Sequence, residues 1–518
     1  MRQRLLLSIY TAAILALASP AAAQRFDVME ATIPSTHEAL RRGRTSCRDI
    51  VQAYLDRIAA YDKTGPALNA IQHVNPRALV EADSLDAARR AGQAMGPLHC
   101  VPVLLKDQVE TRDMPTTYGS AIFRDFVPTR DATVVQRLEA AGAIILAKTT
   151  MGEFASRYVG SAAGIIRNAY DPTRNPSGSS GGSATAVAAN FGLVGIGEDT
   201  GGSIRGPAAV SNLVGLRPTL SLVSRFGMMP ANPTQDTMGP MTRTVADAAR
   251  VLDVIAGYDA NDPITAETVG RMPSSYQTSL RPDALRGVRI GVRRVPRDTG
   301  ARYAEEYAAV RVVMDRAIAD LRAAGAEIVD SLVLPDRRPG GVSNDFETEE
   351  ATNAYLAQHP NAPARSLQEI LLTGDVNPWR ARGLMSLVGK TTRDPGYLTV
   401  LQQREALRVA VLKAMADHRL TAIVYATYDA PPTPIAADVL TNPRPEDGYG
   451  RGDNRSLSPA IGFPALTVPA GFSEGTLPVG IEFLGRPFSE GELLAIGYAY
   501  EQRTKHRRPP ATTPPLPR

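Results

Sequence analysis

Asn175–Thr219, NPSGSSGGSATAVAANFGLVGIGEDTGGSIRGPAAVSNLVGLRPT, is the stretch that decides the reading of this chain. It holds two serine-in-glycine clusters, GSSGGS at 178–183 and DTGGSIR at 199–205. A small-residue helix pattern at Ala184–Asn190 and a short apolar run at Leu193–Ile196 separate them. Glycine lets backbone N–H groups turn toward one point without a Cβ in the way, as an anion-holding turn requires. Two such turns, each presenting a hydroxyl, point to acyl-transfer chemistry more than to packing. A P-loop does not fit, because no GxxxxGK[ST] occurs and the block contains no lysine. A flexible Gly/Ser linker does not fit either, since apolar strand and helix patterns bracket both turns.

Upstream of this block, Val101–Leu105 is an unbroken apolar run of strand length that ends directly at Lys106-Asp107. Ala143–Ala147 reads as a second buried strand. The spacing of Ile50, Tyr54 and Ile58 predicts a helix over 34–62 with Ser35 at its N-cap. Further helix patterns cover 77–92 and 132–142. Downstream, helix patterns at 244–257, 302–324 and 395–418 alternate with short β runs at Val288–Val292 and Ile423–Ala426. This alternation predicts an α/β fold, a large mixed, mostly parallel sheet covered by helices on both faces. Residues 330–394 have weak periodicity and carry the one tryptophan, Trp379; they read as an irregular insertion or cap. The Pro-rich tail, Arg507–Arg518, reads as extended or disordered.

The chain opens with Arg2 and Arg4, the apolar run LLLSIYTAAILALA, and Pro20-Ala21-Ala22-Ala23. That is the tripartite form of a secretory signal over 1–23, cut after Ala23. Its apolar core of 14 residues is short of the ~20 that span a bilayer. The expectation is a periplasmic or secreted protein with no membrane attachment after processing. At 43% hydrophobic and 21% charged, the composition is globular. Removing Arg2 and Arg4 from the 57 basic residues leaves 55 against 53 acidic ones. With no basic stripe, that balance gives no reason to expect nucleic acid as a partner. Oligomeric state is not legible. No HExxH or CxxC spacing occurs, so neither metal nor cofactor is expected.

Cys47 and Cys100 are the only cysteines. Export would place them in an oxidising compartment, where a bridge or two buried thiols both fit the sequence. Neither has a His–Asn setting that would make it a nucleophile.

A nucleophilic serine needs a base. The six histidines are His37, His73, His99, His359, His418 and His506, and none falls between residues 100 and 358. Lys106, leaving the end of an apolar strand, is the other candidate, although many lysines at strand ends simply face solvent. As a base it needs its pKa lowered from ~10.4 toward neutrality, which burial and nearby dipoles accomplish.

These residues resemble the amidase signature family. The match covers GSSGGS at 178–183, DTGGSIRGPA at 199–208 and GPLHCVPVLLKD at 96–107. It extends through AKTTMGEFA at 147–155, RNAYDPTRNPSG at 167–178, VGLRPT at 214–219 and the closing FPALTVPAG and LPVGIEFLG. The resemblance implies the family fold over a domain of 24–506 and a Ser–Ser–Lys triad. Ser203 would be the nucleophile, Ser179 the bridging serine held by a cis peptide, and Lys106 the base. Backbone amides of Thr200, Gly201, Gly202 and Ser203 would form the oxyanion hole. Ser180, Asp199 and Arg205 would support these turns. Activity would then rise as Lys106 deprotonates and would not depend on any one histidine.

Several positions depart from the family blocks. Ser177 and Cys100 stand where glycines are usual, and Glu198 stands where threonine precedes DTGG. Ile165-Ile166 replaces a more polar Gln-Thr, which with the 330–394 segment argues against a glutamine-specific transamidating enzyme. The implied activity is hydrolysis, with water, of a small-molecule or peptide amide, such as a peptide C-terminal amide or an aryl acyl amide. An esterase or carbamate hydrolase using the same triad is one alternative. A non-catalytic exported binding protein is another, against which the presence of Lys106, Ser179 and Ser203 together argues.

Overall fold

In the computed structural model the described residues are 26–294, 304–330, 332–334, 344–446, 454–473 and 475–517. The expected signal segment, 1–23, lies outside them. Short apolar runs without polar alternation become strands buried on both faces. Among the described residues, eleven strands form one sheet, the central ones buried on both faces and the edge strands Ile71–Val74 and Glu327–Val329 partly exposed. Its order from one edge is Ile71–Val74, Ile144–Thr149, Pro102–Lys106, Val194–Asp199, Thr237–Thr242, Val214–Arg217, Ala465–Ser473, Leu477–Leu484, Ala422–Ala426, Arg289–Val292 and Glu327–Val329.

The sheet is mixed, but it is not mostly parallel. Six of its ten pairings are antiparallel and four are parallel. The correction arises at the centre, where Thr237–Thr242 runs against both neighbours and Ala465–Ser473 pairs with Leu477–Leu484 as a hairpin. Parallel pairing survives where helices intervene between strands, as crossover connections require.

The helix expected over 34–62 is two, Ile33–Arg41 and Cys47–Tyr61. The chain turns at Gly43, φ +63°, and Ser46 starts the second helix by accepting from the Asp49 amide at 3.0 Å. Thr32 caps the first helix, and Ser35 completes its capping box from the third position.

Of the 330–394 segment, expected as an irregular insertion or cap, the described part is largely helical rather than irregular. Asn344–Ala357, Leu367–Leu372 and Pro378–Met385 cover Tyr118, Phe123, Phe126 and Phe154 of the body. Its periodicity is weak because the two shorter helices each bury only two residues, Leu367 with Ile370 and Arg380 with Leu384. The tail is extended but fastened. Arg57 donates to the carbonyls of Thr513 and Pro514 at 2.8 and 2.9 Å, and Arg507 pairs with Glu30 at 2.8 Å.

Cys47, opening a helix, and Cys100, just before the Lys106 strand, form a buried disulfide with Cα atoms 5.5 Å apart. Asp86 braces the same corner by accepting from the Cys47 amide at 2.9 Å. The bridge joins residues separated by 53 positions. A loop of that length contributes about 4 kcal/mol in the chain-entropy model. Reduction is therefore expected to lower the melting temperature by about 4 °C for a chain of this size, with activity at room temperature retained. Thiol titration of unfolded, unreduced protein checks the premise, and two free thiols would refute the bridge.

Candidate active site

Ile144–Thr149, Pro102–Lys106 and Val194–Asp199 are parallel neighbours, so they end on one rim of the sheet. That rim, beyond the carboxyl ends of parallel strands, is where open α/β sheets hold ligands. It carries Lys106 as the last residue of one strand and Glu198-Asp199 as the last residues of the next.

The GSSGGS turn is pinned to this rim by its backbone. Gly152 N donates to Ser179 O and Gly182 N to Thr150 O, each at 3.1 Å. Gly178 admits no side chain, since a Cβ there would lie 1.5 Å from the Arg157 carbonyl oxygen. The Gly178–Ser179 peptide is cis. Ser180 Oγ donates to Glu198 O at 3.1 Å and accepts from Glu198 N at 3.3 Å, tying the turn to the strand.

Lys106 and Ser179 meet. Lys106 Nζ lies 2.7 Å from Ser179 Oγ, 2.7 Å from Glu198 Oε2 and 3.2 Å from Glu198 O. Lysine and glutamate are both fully buried. Burial pulls the Lys106 ammonium below the usual lysine range, while Glu198 acts in the opposite direction.

Ser203 ends the DTGGS turn and is 8% exposed. Asp199 clamps this turn, accepting from the amides of Gly202 at 2.7 Å and Ile204 at 3.1 Å. Burial alone would raise the Asp199 carboxyl, but Arg205 and Arg217 hold it well below the usual carboxylate range. Their nitrogens each lie 3.2 Å from its oxygens. Arg205 also pairs with Glu482 and donates to the Arg455 carbonyl at 2.7 Å.

Two expectations need correction. The Gly202 amide points at Asp199, so the anion site drawn from four amides has three free. Among the described residues, the amides of Thr200, Gly201 and Ser203 have no protein partner. No hydrogen bond joins the Ser179 and Ser203 hydroxyls; the two turns are linked instead by Ser180 N donating to Ser203 O at 3.4 Å.

Three of the departures from the family blocks, Ser177, Cys100 and Glu198, have a structural setting. Ser177 and Cys100 sit at φ +62° and +61°, the left-handed region that costs glycine nothing. Ser177 Oγ is hydrogen-bonded with Tyr428 Oη at 2.5 Å, and Cys100 is held by its disulfide. Glu198 is the lysine's ion-pair partner, a role that residue spacing did not expose. Its signal was a carboxylate inside the otherwise apolar and glycine-rich strand VGIGED. Asp236 was missed as well. Thr200 Oγ1 lies 2.6 Å from Glu198 Oε1 and 2.7 Å from Asp236 Oδ1, and Asp236 Oδ2 accepts from the amides of Ala231 and Asn232. Burial and the neighbouring Glu198 charge push the Asp236 carboxyl up to about 8.

A small, mainly apolar cavity of about 10 Å³, room for roughly one water, is lined by Tyr118, Met151, Phe154, Met229, Leu384 and the buried Arg380. The sequence suggests that loops 114–123, 151–165, 330–394 and 427–458 line the acyl and leaving-group sites; the first three supply most of this lining and 427–458 none of it. Gln108, two residues beyond Lys106, is also part of the lining.

The fold and rim define an enzyme of the amide-hydrolysing class, and comparison with known proteins agrees. A family model described as Amidase matches residues 49–494. A probable amidase of Arabidopsis thaliana is 33% identical, with 98% of this chain and 96% of that protein covered. A glutamyl-tRNA(Gln) amidotransferase chain of Moorella thermoacetica is 35% identical, with 93% and 99% covered. Among solved structures, native peptide amidase from Stenotrophomonas maltophilia is similar at TM-score 0.83 and 37% identity, over 93% of this chain and 99% of that one. The chain belongs to the amidase family. It is a hydrolase of amide C–N bonds.

Proposed function

We propose that this protein is an exported amidase that cleaves peptide C-terminal amides or aryl acyl amides through an acyl-enzyme on Ser203. The observation that carries the mechanism is the 2.7 Å contact of buried Lys106 with Ser179 on the rim that also holds Ser203. Neutral Lys106 takes the Ser179 proton as Ser179 takes that of Ser203. Ser203 Oγ then attacks the amide carbonyl, and the relay returns the proton to the leaving nitrogen as the C–N bond breaks. Water hydrolyses the ester by the reverse route. The amides of Thr200, Gly201 and Ser203 face the developing oxyanion, and each such donor stabilises the transition state by about 2.7–4 kcal/mol.

The substrate class is supported by the likeness to peptide amidases. Export is supported by the 1–23 segment and suits a bridged Cys47–Cys100 pair. The test is a panel of peptide amides, anilides, fatty amides and p-nitrophenyl esters, with an electrophilic phosphonate as active-site label. Peptide amides or anilides should be turned over fastest, and intact-mass and peptide mapping should find one label, on Ser203. A label elsewhere would overturn the mechanism, and preference for esters would overturn the substrate class. N-terminal sequencing of protein from the native host should begin at Gln24; an intact Met1 would refute processing.

A further inference from the structure

A lysine that is to act as a base must first be neutral, and the surroundings of Lys106 work against that. Its three ammonium hydrogens all have acceptors, Ser179 Oγ, Glu198 O and Glu198 Oε2. In that state it donates to Ser179 and cannot receive from it. Lys106 and Glu198 are both 0% exposed, so solvent is not at hand to remove the extra proton.

The carboxyls facing Lys106 are Glu198, Asp199 and Asp236. Asp199 is committed to Arg205, Arg217 and two backbone amides. Asp236 is excluded by counting hydrogens. The Thr200 hydroxyl has one hydrogen yet lies within hydrogen-bond distance of both Glu198 Oε1 and Asp236 Oδ1. One of the two carboxyls must therefore carry a proton and donate to Thr200 Oγ1. Glu198 is in contact with the lysine nitrogen, whereas Asp236 has no cation at its oxygens and is pushed up to about 8 by burial and the Glu198 charge. The proton belongs on Asp236. The chain then reads Asp236 to Thr200 to Glu198, each donating to the next, with Lys106 on the other Glu198 oxygen. Arg217 and Arg225 are the remaining cations that act on this cluster, the second through Asp236.

We propose that Glu198 takes the proton that Lys106 must shed, and so lets the lysine act as a base without losing that proton to water. The inference rests on the Ser203–Ser179–Lys106 reading. The Lys106 Nζ–H bond breaks as a Glu198 Oε2–H bond forms, and the nitrogen lone pair becomes free. That lone pair accepts the Ser179 proton while Ser179 Oγ accepts the Ser203 proton and the Ser203 Oγ–carbonyl carbon bond forms. The lysine then returns a proton through Ser179 to the departing nitrogen. The first transfer moves a proton within the cluster and leaves its total charge unchanged. Glu198 is thus a positioning residue for the base, and Thr200 with Asp236 keeps its second oxygen hydrogen-bonded throughout.

The pH dependence of kcat/KM decides the matter. Resting and active forms contain the same number of protons while Asp236 holds its own, so the wild-type profile on an N-acylated dipeptide amide should show no slope-one acid limb between about pH 6 and the Asp236 value of about 8. Glu198→Gln keeps the size but cannot take a proton, and Lys106 must then discharge to solvent. A slope-one acid limb should appear at higher pH than any limb of the wild type, with kcat/KM at pH 7 reduced about 10–100-fold. If Glu198 were only a counter-charge, its removal would ease lysine deprotonation and move the limb to lower pH. That shift, or an unchanged profile, would overturn the proposal. Should the variant not fold, the wild type alone decides, because a slope-one limb within the neutral range would also overturn it. A Lys106→Met protein that retains turnover would instead sink the triad reading, so the two failures are distinguishable.

Discussion

Ser203→Ala is expected to abolish amide turnover, lowering kcat/KM by about six orders of magnitude, as loss of the serine does in other acyl-transfer triads. The argument is one of access and partners. Ser203 is partly exposed on the rim, whereas Ser179 and Ser180 are fully buried, with hydroxyls bonded to Lys106 and to the Glu198 backbone. No neighbouring hydroxyl is therefore placed to replace Ser203 as nucleophile. The clamp on the turn runs through backbone amides to Asp199 and does not use the Ser203 hydroxyl. Stability should accordingly stay within about 0.5 kcal/mol of the parent. Steady-state kinetics with thermal melting checks both halves, and unaltered turnover in a folded Ser203→Ala protein would sink the mechanism.

Lys106→Ala is the second large effect, and it should strike activity and stability together. Loss of a positioned base costs about 10²–10⁴ in rate. Glu198 would also be left as a buried carboxylate without its cation, which costs about 3–5 kcal/mol. Combining Lys106→Met with Glu198→Gln removes both charges, so it should recover most of the stability and none of the activity. Measuring urea unfolding beside kcat/KM separates the two roles. By contrast, no single histidine substitution should remove turnover. His37 bonds to the His99 carbonyl at 2.9 Å and His359 pairs with Glu110 at 2.8 Å, and neither contacts a serine of the turns. A folded histidine variant without activity would count against a lysine base.

The relation of the cap to the site bears on specificity. Glu110, four residues beyond Lys106 in the chain, is held by Arg130 at 2.9 Å and by His359 next to the first cap helix. Arg380 reaches from another cap helix to the Phe154 carbonyl at 2.7 Å. The cap thus fastens to the same loops that shape the pocket wall.

By itself the sequence determined the local elements and the chemistry-bearing positions. Apolar runs without alternation are strands wherever they are buried on both faces, so the strand runs Val101–Leu105 and Leu193–Ile196 were readable from the sequence alone, though the second extends to Asp199. Glycine clusters around Ser179 and Ser203 were readable for the same kind of reason, since only glycine tolerates the Arg157 carbonyl at Gly178 or φ +119° at Gly202. Periodicity reports how deeply an element is buried and not which neighbour it faces. Tertiary structure therefore decided the antiparallel centre of the sheet, the helical character of the cap and the fastening of the tail. It alone brought Glu198 against Lys106, 92 positions away, and Asp236 against Thr200, 36 positions away, because parallel and antiparallel strand pairing set those distances. It also turned the Gly202 amide inward to Asp199. A buried polar group must find its partner in space, and that partner has no fixed offset in the chain.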